Sequence, residues 1–249
     1  MVSHFGNEVV DLAVVVSKGE RPAEHGPYGI LVGNEDFQFT PVVIDDPKVT
    51  GAQILAAANV LQPVEHLLFQ VLSNGRLEEI GPEETTDLRS SGAERFLVFR
   101  SDRSHRINLD DRAFDWGARH ISGASLKTLA GVDLHDVDVW EVVVGGEDVL
   151  IENKEYSDLD KPGVERFATK RFSAAIIVNA RQKVTHTRQL SYWDLAELAF
   201  PGAQPTPGTV YTIDYDRGPH ANPEGSVVEG QHVKIKEGMT FYVAVSDKS

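Results

Sequence analysis

Cysteine is absent from this chain of 249 residues. Disulfides, thiolate nucleophiles and thiolate metal sites are therefore excluded, and a reducing compartment fits. Basic residues are scarce. Lys and Arg total 24 against 38 Asp and Glu, for a formal net charge of −14. A duplex binder needs a basic footprint to release counterions, so neither nucleic acid nor an anionic membrane is an expected partner. Long apolar runs are also missing. Leu12 to Val16 is too short for a signal sequence or a membrane span, and no basic segment precedes it. A cytoplasmic location is the expectation. No nucleophile elbow and no phosphate-cradling loop occurs. The nine histidines never fall in a metal-ligand pair on one helix face. No catalytic residue, metal ligand or cofactor is therefore expected, and the chain is read as not an enzyme.

What is present is repetition. Three segments start helices in the same way: Val49-Thr50-Gly51-Ala52-Gln53-Ile54, Ile121-Ser122-Gly123-Ala124-Ser125-Leu126 and Leu190-Ser191-Tyr192-Trp193-Asp194-Leu195. Each carries Ser or Thr at the N-cap place, where its oxygen accepts from free first-turn N–H groups. Each has an apolar residue before the cap and another five positions later, the hydrophobic-staple pattern. Gln53 adds a capping box. Apolar or small residues then recur at helical spacing, as Ile54, Ala57 and Ala58, as Leu126, Leu129 and Ala130, and as Leu195, Leu198 and Ala199.

A second marker drifts with the first. Gly92-Ala93-Glu94-Arg95-Phe96 matches Gly163-Val164-Glu165-Arg166-Phe167, each after an Asp-Leu pair, and Lys236-Glu237-Gly238-Met239-Thr240-Phe241 is a weaker third copy. Strand-like runs flank each helix: Ile30 to Val32 and Phe37 to Phe39, Ile107 to Leu109 and Ala113 to Trp116, Ile176 to Val178 and Val184 to His186 before it; Leu68 to Val71, Val139 to Val143 and Val210 to Ile213 after it. The order per copy is strand, strand, helix, strand, short strand, strand. A hairpin feeding a right-handed helical crossover makes the first and last strands parallel neighbours. The fold class is α+β, with three tandem β-grasp domains. The expected boundaries are an arm at 1–27 and domains at 28–103, 104–171 and 172–249. Copies of this size lie near the lower limit for a self-sufficient core, so they are expected to lean on one another. The arm is either mobile or adds a strand to a sheet edge through Ala13 to Val16.

The ending Val233-Lys234-Ile235-Lys236-Glu237-Gly238-Met239-Thr240-Phe241-Tyr242-Val243 resembles the end of ubiquitin. With the Ile121-Ser122-Gly123 helix start and the G-x-E-R-F segments, the chain as a whole resembles the bacterial multiubiquitin proteins, which string ubiquitin-like domains together. The resemblance covers roughly 28–249. It implies a protein modifier whose partners are an adenylating (activating) enzyme, a conjugating enzyme and a deconjugating protease. It also places activation or processing on the tail Ala244, Val245, Ser246, Asp247, Lys248 and Ser249. The chain departs from a Gly-Gly ending, since no glycine follows Gly238, and the tail beyond Val245 is expected to be polar and free. Either another terminal residue is activated, or the tail is trimmed, or the protein is never conjugated.

Other segments read as connections. Asp45-Asp46 and Asp110-Asp111 are turns, Gly145-Gly146-Glu147-Asp148 is a hairpin turn, and Asp133 to Asp138 is a polar link ahead of a metal loop. The Pro/Gly-rich Asp216 to Gly225 stretch is a surface insertion or a recognition loop. Glu94-Arg95 and Glu165-Arg166 are candidates for contacts between domains. The short linkers, Ser101 to Ser104 and Thr169 to Ser173, favour a fixed order of domains. They also keep open a rival reading, a non-conjugated scaffold that self-associates end to end. An enzyme with an acidic site is the third and weakest reading.

Overall fold

The computed structural model describes residues 5–6, 8–90, 92–163, 165–205 and 209–247. By backbone contacts it divides into two units, one of 1–134 with 138–169, the other of 135–137 with 170–249.

The first unit opens with β1 (Val10–Asp11) and α1 (Leu12–Ser17). The first repeat follows as β2 (Tyr28–Gly33), β3 (Phe39–Ile44), β4 (Lys48–Thr50), α2 (Gly51–Ala57), β5 (His66–Val71), β6 (Leu77–Glu79), β7 (Thr85–Asp87) and β8 (Arg95–Arg100). The second repeat is β9 (His105–Leu109), β10 (Arg112–Trp116), β11 (His120–Ser122), α3 (Gly123–Ala130), β12 (Val137–Glu141), β13 (Val149–Ile151), β14 (Tyr156–Asp158) and β15 (Arg166–Arg171). The second unit holds the third repeat: β16 (Ala174–Val178), β17 (Arg181–Thr185), β18 (Gln189–Ser191), α4 (Tyr192–Ala199), β19 (Thr209–Asp216), β20 (Gly225–Val227), β21 (His232–Lys234) and β22 (Thr240–Asp247). In each repeat the first and last main strands pair in parallel, β2 with β8, β9 with β15 and β16 with β22. Antiparallel pairs, such as β2 with β3, β5 with β8, β9 with β10, β16 with β17 and β19 with β22, complete each sheet, so the sheets are mixed. Three tandem repeats with mixed sheets and few helices fit a ubiquitin-like arrangement.

The local causes are those of the three helix starts. The side chains of Thr50, Ser122 and Ser191 accept from the N–H of Gln53, Ser125 and Asp194. Asp194 completes a second capping box by returning a carboxylate to Ser191 N at 2.8 Å. The staple residues Val49 and Ile54, Ile121 and Leu126, and Leu190 and Leu195 are all buried. A further short antiparallel pair flanks each helix start: β4 with β7, β11 with β14, β18 with β21. The Asp-Leu pairs mark it, since β7 and β14 end on Asp87 and Asp158, and Leu88 and Leu159 turn into the core.

Several positions differ from the sequence expectation. The return strand of the third hairpin begins at Arg181, not Val184, because Asn179 and Ala180 both take positive φ and make a two-residue turn. In the first hairpin the strand begins at Phe39, and Asn34 Oδ1 holds the longer turn by accepting from Asp36 N and Gln38 N. The arm adds its strand through Val10–Asp11, whereas Ala13 to Val16 lie in α1. β3 covers one whole edge of β2, so β1 extends the other edge before β8 reaches it. Asp11 can cap α1 there, accepting from Val14 N at 3.1 Å, and Leu12 is buried. The second linker shortens to Phe172 and Ser173 because β15 runs to Arg171.

Within the first unit the two repeats share a core. Leu68 and Phe96 face α2, while Phe69, Leu97 and Phe99 face outward and join the core of the second repeat. The Phe99 and Trp116 rings meet edge-on, 4.8 Å between centroids. A Cβ on Gly117 would stand 2.5 Å from the Phe99 ring, so only glycine fits that approach. Ser125 Oγ donates to Glu35 O across the same boundary at 2.7 Å. A sheet buried on both faces needs continuous apolar strands, which is why β5 and β8 read Leu-Leu-Phe-Gln-Val and Phe-Leu-Val-Phe. Among the described residues no ion pair involves Glu94, Arg95, Glu165 or Arg166; aromatic packing joins these repeats instead.

Candidate functional site

The final strand of the third repeat carries the residues that the sequence singles out. It is entered through a turn in which Gly238 takes φ 74°. Met239 N donates to Lys236 O, and Gly238 N donates to Ala175 O. The Glu237 carboxylate accepts from Ala175 N at 2.8 Å, so the turn is fastened to the start of β16 on two sides.

β22 then runs between β16 and β19. Its β16 contact spans only Thr240 and Phe241, opposite Ile177 and Val178. Beyond that, a side chain replaces a strand. Asn179 Nδ2 donates to Val243 O at 2.8 Å, and Val243 N donates to Asn179 Oδ1 at 2.8 Å. The β19 contact is longer and reaches from Asp216↔Thr240 to Thr209↔Asp247. Since both Val243 polar groups face Asn179, alternation turns those of Ala244 and Ser246 toward β19.

Ala244, Val245, Ser246 and Asp247 therefore continue the sheet rather than forming the free segment expected beyond Val245. The physical cause is strand length. β19 has eight residues, against six in β5 and five in β12, and supplies backbone partners past the end of the core. Lys248 and Ser249 lie outside the described residues. Phe241 and Val243 point into the core, whereas Val245 is 49 % exposed because the core has ended there. On the other face Tyr242 donates its hydroxyl to Asp216 Oδ2 at 2.9 Å. That hydrogen bond, with the nearby negative charge, raises the Tyr242 pKa.

Among the described residues no group of three His, Cys, Asp or Glu side chains could hold a metal ion. In the Asp133 to Asp138 segment the Asp136 carboxylate accepts from Arg188 N at 3.3 Å. Asp110 and Asp111 form a turn of positive φ, and Asp110 receives Thr169 N and Thr169 Oγ1 at 2.7 and 2.8 Å. Asp45 and Asp46 are exposed in a bend. Gly145 takes φ 77° between β12 and β13. The Asp216 to Gly225 loop is closed on itself by Gly218 N to Pro223 O and Asn222 N to Pro219 O, both 2.8 Å.

The model of the multiubiquitin family matches residues 38–101, 105–171 and 174–247, three tandem copies over most of the chain. The chain belongs to the multiubiquitin family. No curated protein matches it. In this multiubiquitin chain the second and third matched copies each contain their parallel first and last strands, whereas the first copy begins at residue 38, after β2. Its segment 10–17, with β1 and α1, lies ahead of the first matched copy. No helix among the described residues is long and apolar enough to cross a membrane.

Proposed function

We propose that this multiubiquitin chain is a bacterial ubiquitin-like modifier, or its precursor, built from three β-grasp domains and acting in the cytoplasm. Its partners in this reading are an adenylating enzyme, a conjugating enzyme and a deconjugating protease. The segment Ala244 to Ser249 is where activation or processing acts. The adenylating enzyme joins the terminal carboxylate to the adenylyl group of ATP and releases pyrophosphate. A nucleophile on a partner then takes the acyl group and AMP leaves. The chain is the substrate of that chemistry and supplies no catalytic group.

The observation that carries this reading is the one-sided hold on Ala244 to Asp247. Past Asn179, among the described residues only β19 pairs with them. Peeling this end away breaks about four backbone hydrogen bonds at roughly 1 kcal/mol each, which binding to a partner enzyme can offset. The core residues Phe241 and Val243 stay in place, so the end can be released without unfolding the domain.

Intact mass spectrometry of the protein from its native host tests the proposal. A C-terminal loss or a covalent adduct in this segment is the expected result. A full-length, unmodified mass in every fraction would instead favour a second reading, a scaffold that self-associates. The shared core of the first two repeats favours that alternative to the extent that it fixes their geometry. Light scattering at rising concentration decides it, since a chain that stays monomeric cannot be such a scaffold.

A further inference from the structure

The second and third repeats each have a groove between the short strand at the edge of the main sheet and the short strand beside the helix start. In the second repeat this groove lies between β13 and β14 and encloses about 590 Å³. Its apolar side chains are unusually open: Val149 is 52 %, Leu150 37 % and Tyr156 56 % exposed. Glu141 and Glu155 line it with Asp158, against Lys161 alone among the lining cations. Asp158 is already neutralised by Arg119, bonded through both carboxylate oxygens at 2.8 Å. The remaining carboxylates leave the groove negative. β13 pairs with β12 on one side, and no strand among the described residues pairs with its other edge.

The repeats provide an internal comparison. Pairing register places Glu79 of the first repeat and Ser226 of the third where the second has Leu150. It places Thr85 and His232 where the second has Tyr156. The groove of the third repeat is smaller, about 290 Å³, and its lining carries His232 and Lys234 with no carboxylate. An open strand edge flanked by exposed apolar side chains and unbalanced negative charge is thus particular to the second repeat.

We propose that this groove docks an extended, basic segment of a partner protein as an added strand on β13. Backbone groups of β13 would pair with the incoming strand, as in β-augmentation. Alternate apolar side chains of that strand would lie on Leu150 and Tyr156, and the intervening Lys or Arg would meet Glu141 and Glu155. The proposal is independent of what happens at the C-terminal strand.

The test uses the full chain, isotopically labelled, and a synthetic short peptide alternating Lys and Val. Amide shifts centred on Val149 to Ile151 and Tyr156, weakening as salt rises, are expected. Tyr156→Ala and Leu150→Ser should each weaken binding by about tenfold. Leu150→Ser introduces the residue type that the third repeat already carries at that register, so the fold should tolerate it. Equal binding of a Glu–Val peptide would overturn the proposal. So would shifts confined to other surfaces, or unchanged binding by both variants.

Discussion

Asn179 exchanges two hydrogen bonds with a single residue, Val243, and so stands in for a strand at the edge of β22. Asp110 does half of this in the second repeat, accepting from Thr169 at the corresponding place after β9. Asn can donate as well as accept, and a carboxylate only accepts. Asn179→Ala should therefore cost about 1 to 3 kcal/mol and speed hydrogen exchange at the Val243 amide. An unchanged unfolding midpoint with unchanged exchange would show that the side chain contributes nothing.

The release of Ala244 to Asp247 has its own test. Ser246 pairs with Val210 on β19. Val210→Pro removes the N–H of Val210 and should loosen the strand end by about 1 to 3 kcal/mol. If release limits processing, trimming or adduct formation should become faster. Deleting Ser246 to Ser249 should abolish adducts formed at Ser249. Adducts that persist after deletion would place the chemistry elsewhere.

The core shared by the first two repeats predicts coupled unfolding. Gly117→Ala pushes a methyl group against Phe99 and should cost about 1 to 3 kcal/mol. Both repeats should lose stability together, monitored by Trp116 fluorescence and by exchange at Leu97. Adding Phe99→Leu should recover part of the loss, a coupling readable in a double-mutant cycle. Strictly additive effects would argue against a direct clash.

Acid should weaken the first repeat in a defined window. Hydrogen bonding from the Arg89 guanidinium, then from its backbone N–H, pulls the Asp87 pKa from 3.8 down to about 2. A folded-state pKa below the unfolded one stabilises above the unfolded value. The contribution is lost as pH falls from about 4 towards 2. Asp87→Asn removes the carboxylate that Arg89 binds, so it should lower the urea midpoint at neutral pH and flatten the fall of that midpoint between about pH 4 and 2. A variant with the same acid dependence as the parent would refute the assignment.

Much of the fold was legible in the residues, and the limits have physical causes. The caps at Thr50, Ser122 and Ser191 are local, so short-range spacing exposed them. The return strand of the hairpin starting at Ile176 begins three residues before the Val184 that its sequence suggests, because Asn179-Ala180 lacks the glycine that usually signals a turn with two positive φ values. The strand character of Ser246 and Asp247 was hidden for another reason. Their polar composition signals a free end, while the reach of β19 depends on a partner distant in sequence. The continuous apolar runs of β5 and β8 did carry a signal that the first sheet is covered twice, but nothing local names the covering surface.

Sequence by itself determined the three repeats, the helix starts and the parallel closure of each sheet. These follow from periodicity, capping and residue type, which act over a few positions. Only the tertiary structure decided that the first two repeats share a core, that Asn179 replaces a strand, and that Ala244 to Asp247 are held from one side. Each of these depends on which backbone edge or aromatic face meets which, and that is fixed only when distant segments pack.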